Sequence, residues 1–594
     1  MRFLILLVFC PLINCNVKEQ ELKVNYLESL IDSAFRQTEK YEVRKDNRDF
    51  FNHGNYTDVI YEYGTFDFIV VGAGSSGSIV AARLSEVEKW NVLLLEAGDW
   101  DDDLTDIPYI YNLLQFSDRN WGYYTVPQKN GCFGWKNNKF HYVRGKVLGG
   151  SGTINGLGYV RGNKGDYDEW SALGNAGWSF DELLPFFKKM ENFESEKIDR
   201  KYRGFGGPLN VAYKKPEENL FRVAISASEL GFKHVQDYNA GSQLGISRQQ
   251  RNIEFGRRVS GATAYVRSSI KKHNFNLTLK AFVTKIIIDE STKTANGVLF
   301  IKNGIKYRAI ARKEVIISGG AINSPQLLML SGIGPNDELK KHNIKPAAIL
   351  PVGVQTKDHV LFTIFYRTNY TMPQKSFKEL VREYLDGKGM LTNLGNGITY
   401  YKNTPVPRPI PSIANYIPGV DNYFRSIKEN TDFHLRIYLL HPKAVGSLKL
   451  KSNNPKDFPL IDSGIFSNEE DLEVIYEAVE SISGLEQTAP AKEVDAQKIP
   501  MKFCDHHEYK SKDYWYCAIR HIAFPAFHIC STVKMGPKND PLAVVDHKLK
   551  VYGIKNLRVA DCSIMPTIIS GHTNAVAFVI GEKVADIIKR EHNI

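Results

Sequence analysis

Past the N-terminal segment, Phe66 to Val71 is a short run that is apolar but for Asp67, the pattern of a strand buried on both faces. Gly72, Gly74 and Gly77 follow at once, and Ile79, Ala82, Arg83 and Val87 continue at helical spacing. A second strand, "NVLLLE", ends on Glu96. Farther on, residues 276–290 and 295–311 alternate as antiparallel strands or hairpins do. An apolar strand at Val315–Ser318 opens into Gly319, Gly320 and a helix rich in Leu and Met. Residues 360–530 read as mixed strands and helices, with a proline-rich stretch at 403–412. "NLRVADCSIMPT" returns to an apolar strand ending on Asp561, and beyond Thr573 the positions Val576, Val579, Ile580, Val584 and Ile587 predict an amphipathic helix.

The order strand, glycine turn, helix, strand, acid has a specific physical meaning. Gly72 permits the tight turn, Gly74 lets the backbone approach a diphosphate, and Gly77 lets the helix meet the strand. The helix N-terminus faces the phosphates, and Glu96, nineteen residues after Gly77, accepts hydrogen bonds from a ribose. A carboxylate there disfavours a 2′-phosphate, and with it NADP, which leaves FAD and NAD. Elements of this kind at the start, middle and end of the chain imply a discontinuous nucleotide domain interrupted by substrate-domain segments.

Composition changes the picture little: 594 residues, 43% hydrophobic and 24% charged, are ordinary for a globular protein. The formal charge of +10 is spread without a Lys/Arg run longer than three, so no nucleic-acid partner is expected. The N-terminus matters more. "MRFLILLVFCPLINC" has one positive charge, an apolar run too short to span a bilayer, then Pro and small residues, as a signal peptide over 1–15 does. A polar lead-in, 16–63, with a helical pattern around Tyr26–Phe35, is expected on the surface. No other stretch is apolar enough for a membrane span, so secretion is the expected route.

Secretion frames the cysteines. Beyond the signal, Cys132, Cys504, Cys517, Cys530 and Cys562 show no zinc-ligand spacing, and no metal is expected. Cys504 and Cys517, close together in a polar stretch, are the disulfide candidate. Five is odd, so at least one thiol stays free. Asn55, Asn276 and Asn369 head Asn-x-Ser/Thr sequences and are candidate glycan acceptors.

Two long stretches carry a resemblance. "GKVLGGSGTINGLGYVRGNKGDYD" (Gly145 to Asp168) and "GAINSPQLLMLSGIG" (Gly320 to Gly334) resemble the two signatures of the glucose-methanol-choline (GMC) family of FAD oxidoreductases, in wording most similar to its secreted insect branch. The resemblance implies FAD and an α/β Rossmann-like FAD-binding domain, discontinuous over 64–210, 255–359 and 540–594. Beside it, 211–254 and 360–539 form an α+β substrate domain built on an antiparallel sheet. It further implies that Gly72, Gly74, Gly77, Glu96, Asn155, Val283 and Asp561 line the cofactor. It places His528, in "FHICSTVKMG", and His572, forty-four residues on, as a pair facing the flavin ring. Ile529, Cys530, Ser531 and Val533 depart from the usual wording, as do Ser151-Gly152 and "VQTKDH", and these departures bear on the pocket floor.

The chemistry expected of the pair follows from imidazole. A neutral His titrating near working pH can take the hydroxyl proton of an alcohol while the carbon gives up hydride. His528 is assigned as this base and His572 as the contact that orients the alkoxide. The helix N-terminus after His572 favours negative charge on the reduced flavin, with Asn574 either adding a hydrogen bond or serving as a cap. The expected reaction is oxidation of a small-molecule alcohol, benzylic or allylic, with O₂ or a quinone as acceptor. Sugar or ecdysteroid oxidation, a flavin-containing hydroxynitrile lyase and a non-catalytic paralogue are the alternatives.

Overall fold

The run at 66–71, whose Asp67 carboxylate is satisfied by the Asn91 N–H and Arg312, is otherwise apolar because its strand is covered on both sides. In the computed structural model, which describes residues 6–594 except 43, 52–58, 196–198, 214–222, 224–225, 372–374, 393–415 and 429–430, it forms the second half of β1 (Ile60–Val71). Phe68, Ile69 and Val70 are fully buried. Asn55, the proline-rich stretch and the first five residues of the signal-peptide segment lie outside the described residues.

β1 lies inside a seven-stranded sheet. It pairs in parallel with β2 (Val92–Leu95) on one side and β6 (Ile305–Ile317) on the other. β3 (Phe275–Thr278) adds in parallel beyond β2, and β9 (Leu557–Val559) joins β6 in parallel. β4 (Ala281–Asp289) and β5 (Thr294–Lys302) fold antiparallel onto β6. The single antiparallel segment expected at 276–290 is thus two strands. Lys280 takes φ +55°, and this left-handed step separates the parallel edge strand from β4.

Three helices pack where the parallel strands end: α2 (Ser75–Leu84), α3 (Gly320–Leu330) and α4 (Asn574–Glu591). α4 approaches α2 closely because Gly581 has no side chain; a Cβ there would lie 2.7 Å from the Ser76 carbonyl oxygen. Glu582, fully buried on α4, accepts from the Arg83 guanidinium and the Tyr265 hydroxyl, and so fixes the helix along its axis.

The second sheet is antiparallel. β7 (Val360–Arg367) pairs along its whole length with β8 (Asp432–Leu439), and Gln497–Lys498 and Phe524–Pro525 flank β7. The fold is therefore an α/β Rossmann-like domain, discontinuous in sequence, beside an α+β region on an antiparallel sheet. β1 begins at Ile60, upstream of the expected boundary at 64.

The lead-in differs from expectation. The helix around Tyr26–Phe35 is present, as part of the long α1 (Leu6–Glu39), but it is not a surface element throughout: Val24, Leu27 and Ile31 are buried in an apolar cluster with Leu104, Leu380 and Val381. No described helix is long and apolar enough to cross a membrane. Cys504 and Cys517 form a disulfide across a separation of 13 residues, while Cys132, Cys530 and Cys562 are free thiols. Asn369 is exposed. Asn276 sits on β3 with its side-chain amide donating to Asn91 Oδ1 and the Val92 carbonyl, so a glycan there would displace both bonds.

Candidate active site

A cavity of about 840 Å³ runs between the two sheets, lined at one end by Gly72, Gly74, Glu96 and Val283 and at the other by His528 and His572. The glycine turn behaves as three different positions. Gly72 takes φ +99° with its Cα against the Ser318 carbonyl, where a Cβ would lie 2.4 Å from the oxygen. A Cβ on Gly77 would lie 1.9 Å from the Gly72 carbonyl oxygen. Gly74 is the opposite case: a Cβ there would point into the cavity, with Gly150 Cα at 4.0 Å as its nearest neighbour. Two glycines hold the turn and the third keeps its surface open to a ligand.

Glu96 closes this end. Its two carboxylate oxygens accept the backbone N–H groups of Ala73 and Gly98, each at 2.8 Å, and burial lifts its pKa to about 7 despite those bonds. The carboxylate therefore clamps the turn as well as facing the cavity. Asn155, also on the cavity wall, accepts from the Leu157 N–H and from Arg258, both at 2.9 Å. Asp561 accepts from the Gly320 N–H at 2.9 Å and from the Ser324 hydroxyl, which ties β9 to the start of α3. Thr573 is the N-cap of α4, and Asn574, its first residue, accepts from the Ser75 hydroxyl at 2.7 Å. The N-termini of α2 and α4 thereby meet at the cavity, an arrangement that suits phosphate and other anionic groups. The donor set and the open face at Gly74 fit a dinucleotide.

The other end brings the two expected histidines together. His572 Nδ1 lies 3.1 Å from His528 Nε2, with ring centroids 5.0 Å apart. Each reaches this place differently. His572 is held just before α4 by the packing of that helix on α2. His528 follows the Phe524–Pro525 strand, and its backbone N–H donates to Asp358 Oδ1 at 2.9 Å. Its loop is conformationally demanding, since Phe527 and Ser531 take φ +63° and +66°. Ser531 occupies the position where the family wording has Gly, which the left-handed region explains.

A third histidine was not anticipated. His359, directly before β7, contacts His528 through Nδ1 to Nδ1 at 2.9 Å and the Ile569 carbonyl through Nε2 at 2.9 Å. A carbonyl oxygen only accepts, so Nε2 of His359 carries the proton and its Nδ1 is the bare nitrogen. His528 must then donate from Nδ1, which leaves Nε2 as its lone pair, facing His572. The tautomers assume neutral rings, and burial enforces neutrality. The His359 pKa falls to about 3 and that of His572 to about 4, while that of His528 falls well below its ordinary value. Burial is the main cause in all three, and neighbouring positive charge adds to it. His359 was visible in "VQTKDH", as a polar pair at the mouth of an apolar strand, but strand pairing rather than spacing makes it a neighbour of His528.

Much of the remaining cavity wall is aromatic or apolar, with Tyr438 edge-on to His572 at 5.4 Å between centroids. Four arginines missed in the sequence, Arg144, Arg251, Arg425 and Arg436, also line it.

Comparison with known proteins gives this geometry a family. Residues 66–361 and 442–581 match the two domains of the GMC oxidoreductase family. Glucose dehydrogenase [FAD, quinone] of Drosophila pseudoobscura pseudoobscura is 37% identical over 549 residues, covering 89% of this chain and 87% of the relative. The mitochondrial choline dehydrogenase of Homo sapiens is 35% identical over 550 residues, covering 88% and 90%. The solved FAD-dependent oxidoreductase of Chaetomium thermophilum superposes with a TM-score of 0.76 at 27% identity, covering 89% of this chain and all of that one. The chain belongs to the GMC oxidoreductase family and is an FAD-dependent oxidoreductase acting on CH–OH donors.

Proposed function

We propose that this protein is a secreted oxidase that converts a primary alcohol to an aldehyde, with His528 as the base, His572 as the group that orients the oxygen, and O₂ as the electron acceptor. Gly72, Gly74, Gly77, Glu96, Asn155, Val283, Asp561 and Asn574 would hold FAD, which when bound supplies the acceptor for the hydride leaving the alcohol carbon. The reading rests above all on the line from the Ile569 carbonyl through His359 to His528, because it leaves Nε2 of His528 as a proton acceptor on the cavity side.

A substrate hydroxyl entering the cavity would replace the 3.1 Å contact between the two rings, donating to Nε2 of His528 and accepting Nδ1–H from His572. Proton uptake turns His528 into an imidazolium whose Nδ1–H is already bonded to His359, so the bond on that side stays as it is. The positive charge then stays beside the reacting atoms, where it supports the transfer of two electrons and two protons to O₂ as H₂O₂. General-base help of this kind is worth roughly 10²–10⁴-fold. The aromatic wall favours a benzylic or allylic alcohol. The short apolar N-terminus and the disulfide support secretion.

A second reading, sugar oxidation with a quinone acceptor, is favoured by the match to glucose dehydrogenase. The two separate in one experiment. The FAD-loaded protein is mixed anaerobically with benzyl alcohol, an allylic alcohol or glucose, and the reduced enzyme is then given O₂ or a quinone. Reduction by benzylic or allylic alcohols and fast reoxidation by O₂ are expected. Reduction by glucose alone, with reoxidation only by quinone, supports the second reading. Bleaching by none of them would leave a lyase or non-catalytic role.

A further inference from the structure

We infer that the alcohol carries a carboxylate, and that Arg251 and Arg436 form the site that binds it; this rests on the oxidation reading above.

Arg251 lies on the short strand Gln250–Arg251 and is 3% exposed. Its Nη2 donates to Gln249 Oε1 at 2.7 Å, but its Nε and Nη1, both buried, have no partner among the described residues. Its backbone bridges to Gly158, and a Cβ on Gly158 would lie 2.6 Å from His572 Cδ2, which puts Arg251 beside the histidine pair. Arg436 stands on β8 opposite Thr363, accessible at the cavity wall, and hydrogen-bonds the hydroxyls of Tyr111 and Tyr438. Both guanidinium groups lower the pKa of His572 through their charge.

Three other buried arginines are paired with acids. Arg161 and Arg203 share Glu191, Arg203 also meets Asp237, and Arg558 meets Glu314. Arg144 donates to the Phe527 carbonyl, and Arg258 to two carbonyls and Asn155. Among the described residues, no carboxylate forms an ion pair with Arg251 or Arg436. Two cations facing one cavity without a counter-charge repel each other, and two donors of Arg251 stay unpaired, a state that an entering anion relieves. A planar carboxylate suits the guanidinium fork because it accepts two parallel N–H groups.

The anion is that of the substrate and not the diphosphate of the cofactor. Arg251 and Arg436 neighbour Gly158, Gln249, His572, Tyr438 and the second sheet, whereas the glycine turn lies at the other end of the cavity. With the hydroxyl at His528 and the carboxylate at the arginines, the aromatic wall accommodates the body between them. The substrate class is a hydroxymethyl acid with an apolar or aromatic core.

The test uses the FAD-loaded full chain. Calorimetry compares binding of benzoate and benzamide, and anaerobic flavin reduction compares 4-(hydroxymethyl)benzoate with its amide. The acid is expected to bind at least about tenfold tighter than the amide and to reduce the flavin with the same preference. That preference should fall to within about threefold in Arg251→Gln and Arg436→Gln with FAD content unchanged. Equal binding of acid and amide by the natural protein, or no binding of benzoate, overturns the inference whether or not the variants fold. Reduction by neutral alcohols without benzoate binding removes the anion site and leaves the oxidation reading. Benzoate binding without reduction by any alcohol does the reverse.

Discussion

Replacing His359 by leucine tests the tautomer argument. The leucine fills similar space but offers neither the Nδ1 acceptor at 2.9 Å from His528 nor the Nε2 donor to Ile569. His528 Nδ1–H would then be buried without a partner, at a cost of about 1–3 kcal/mol. Most of that cost can be escaped by moving the proton to Nε2, which removes the lone pair meant for the substrate. If that free energy appears in the barrier, the reductive rate falls roughly 5- to 150-fold, since 1.36 kcal/mol is a factor of ten. The assay is anaerobic stopped-flow reduction of the flavin by alcohol, with FAD content checked from the absorbance ratio. His359→Gln keeps one acceptor and one donor and should recover part of the rate. A leucine variant within about twofold of the natural rate, or a glutamine variant no better than leucine, would refute the argument.

Other consequences follow from the same structure. His572 has a pKa lowered to about 4 from 6.5, so the folded state binds fewer protons than the unfolded chain between those values. Stability from this group is full above pH 6.5 and declines by roughly 3 kcal/mol as pH falls to 4. Denaturation midpoints of the natural protein and His572→Asn across that window should show the natural protein losing more; parallel curves would contradict the linkage. Gly74→Ala should leave the fold intact and abolish FAD retention, because its methyl enters the cavity, whereas Gly77→Ala should disrupt the turn itself, with a Cβ 1.9 Å from the Gly72 oxygen. Circular dichroism and flavin content separate the two cases, and FAD-replete Gly74→Ala would be the contrary result. Cys517→Ser should lower stability by about 3 kcal/mol in urea, given the 13-residue separation of the bridge. An unchanged midpoint would mean that the bridge constrains the unfolded chain little.

How much of this could be read from the sequence varied with the range of the interaction. The glycine turn was legible because its physics is local: each glycine answers to the strand before it or the helix after it. The pairing of His528 with His572 came from resemblance and not from spacing, since forty-four residues and two separate elements lie between them. His359 stayed hidden because its role depends on how β7 pairs with the Phe524–Pro525 strand. Arg251 and Arg436 carried no signal at all, since a lone arginine on a strand looks the same whether it meets an acid or a cavity. Lys280 steps the chain from the edge strand β3 into β4 without glycine, so the break between the two strands left no mark. The burial of α1 was missed because a polar lead-in with one apolar stripe is equally at home on a surface, and only Leu380 and Val381, far along the chain, show what covers it.

The central claim is that Nε2 of His528 takes the proton of the alcohol. The most direct measurement is the anaerobic rate of flavin reduction by a reactive alcohol in His528→Ala, against the natural protein, at equal FAD content. The account predicts a loss of roughly 10²–10⁴-fold that shrinks as pH rises and solvent supplies the alkoxide. Reduction at the natural rate, with the flavin still bound, would contradict it.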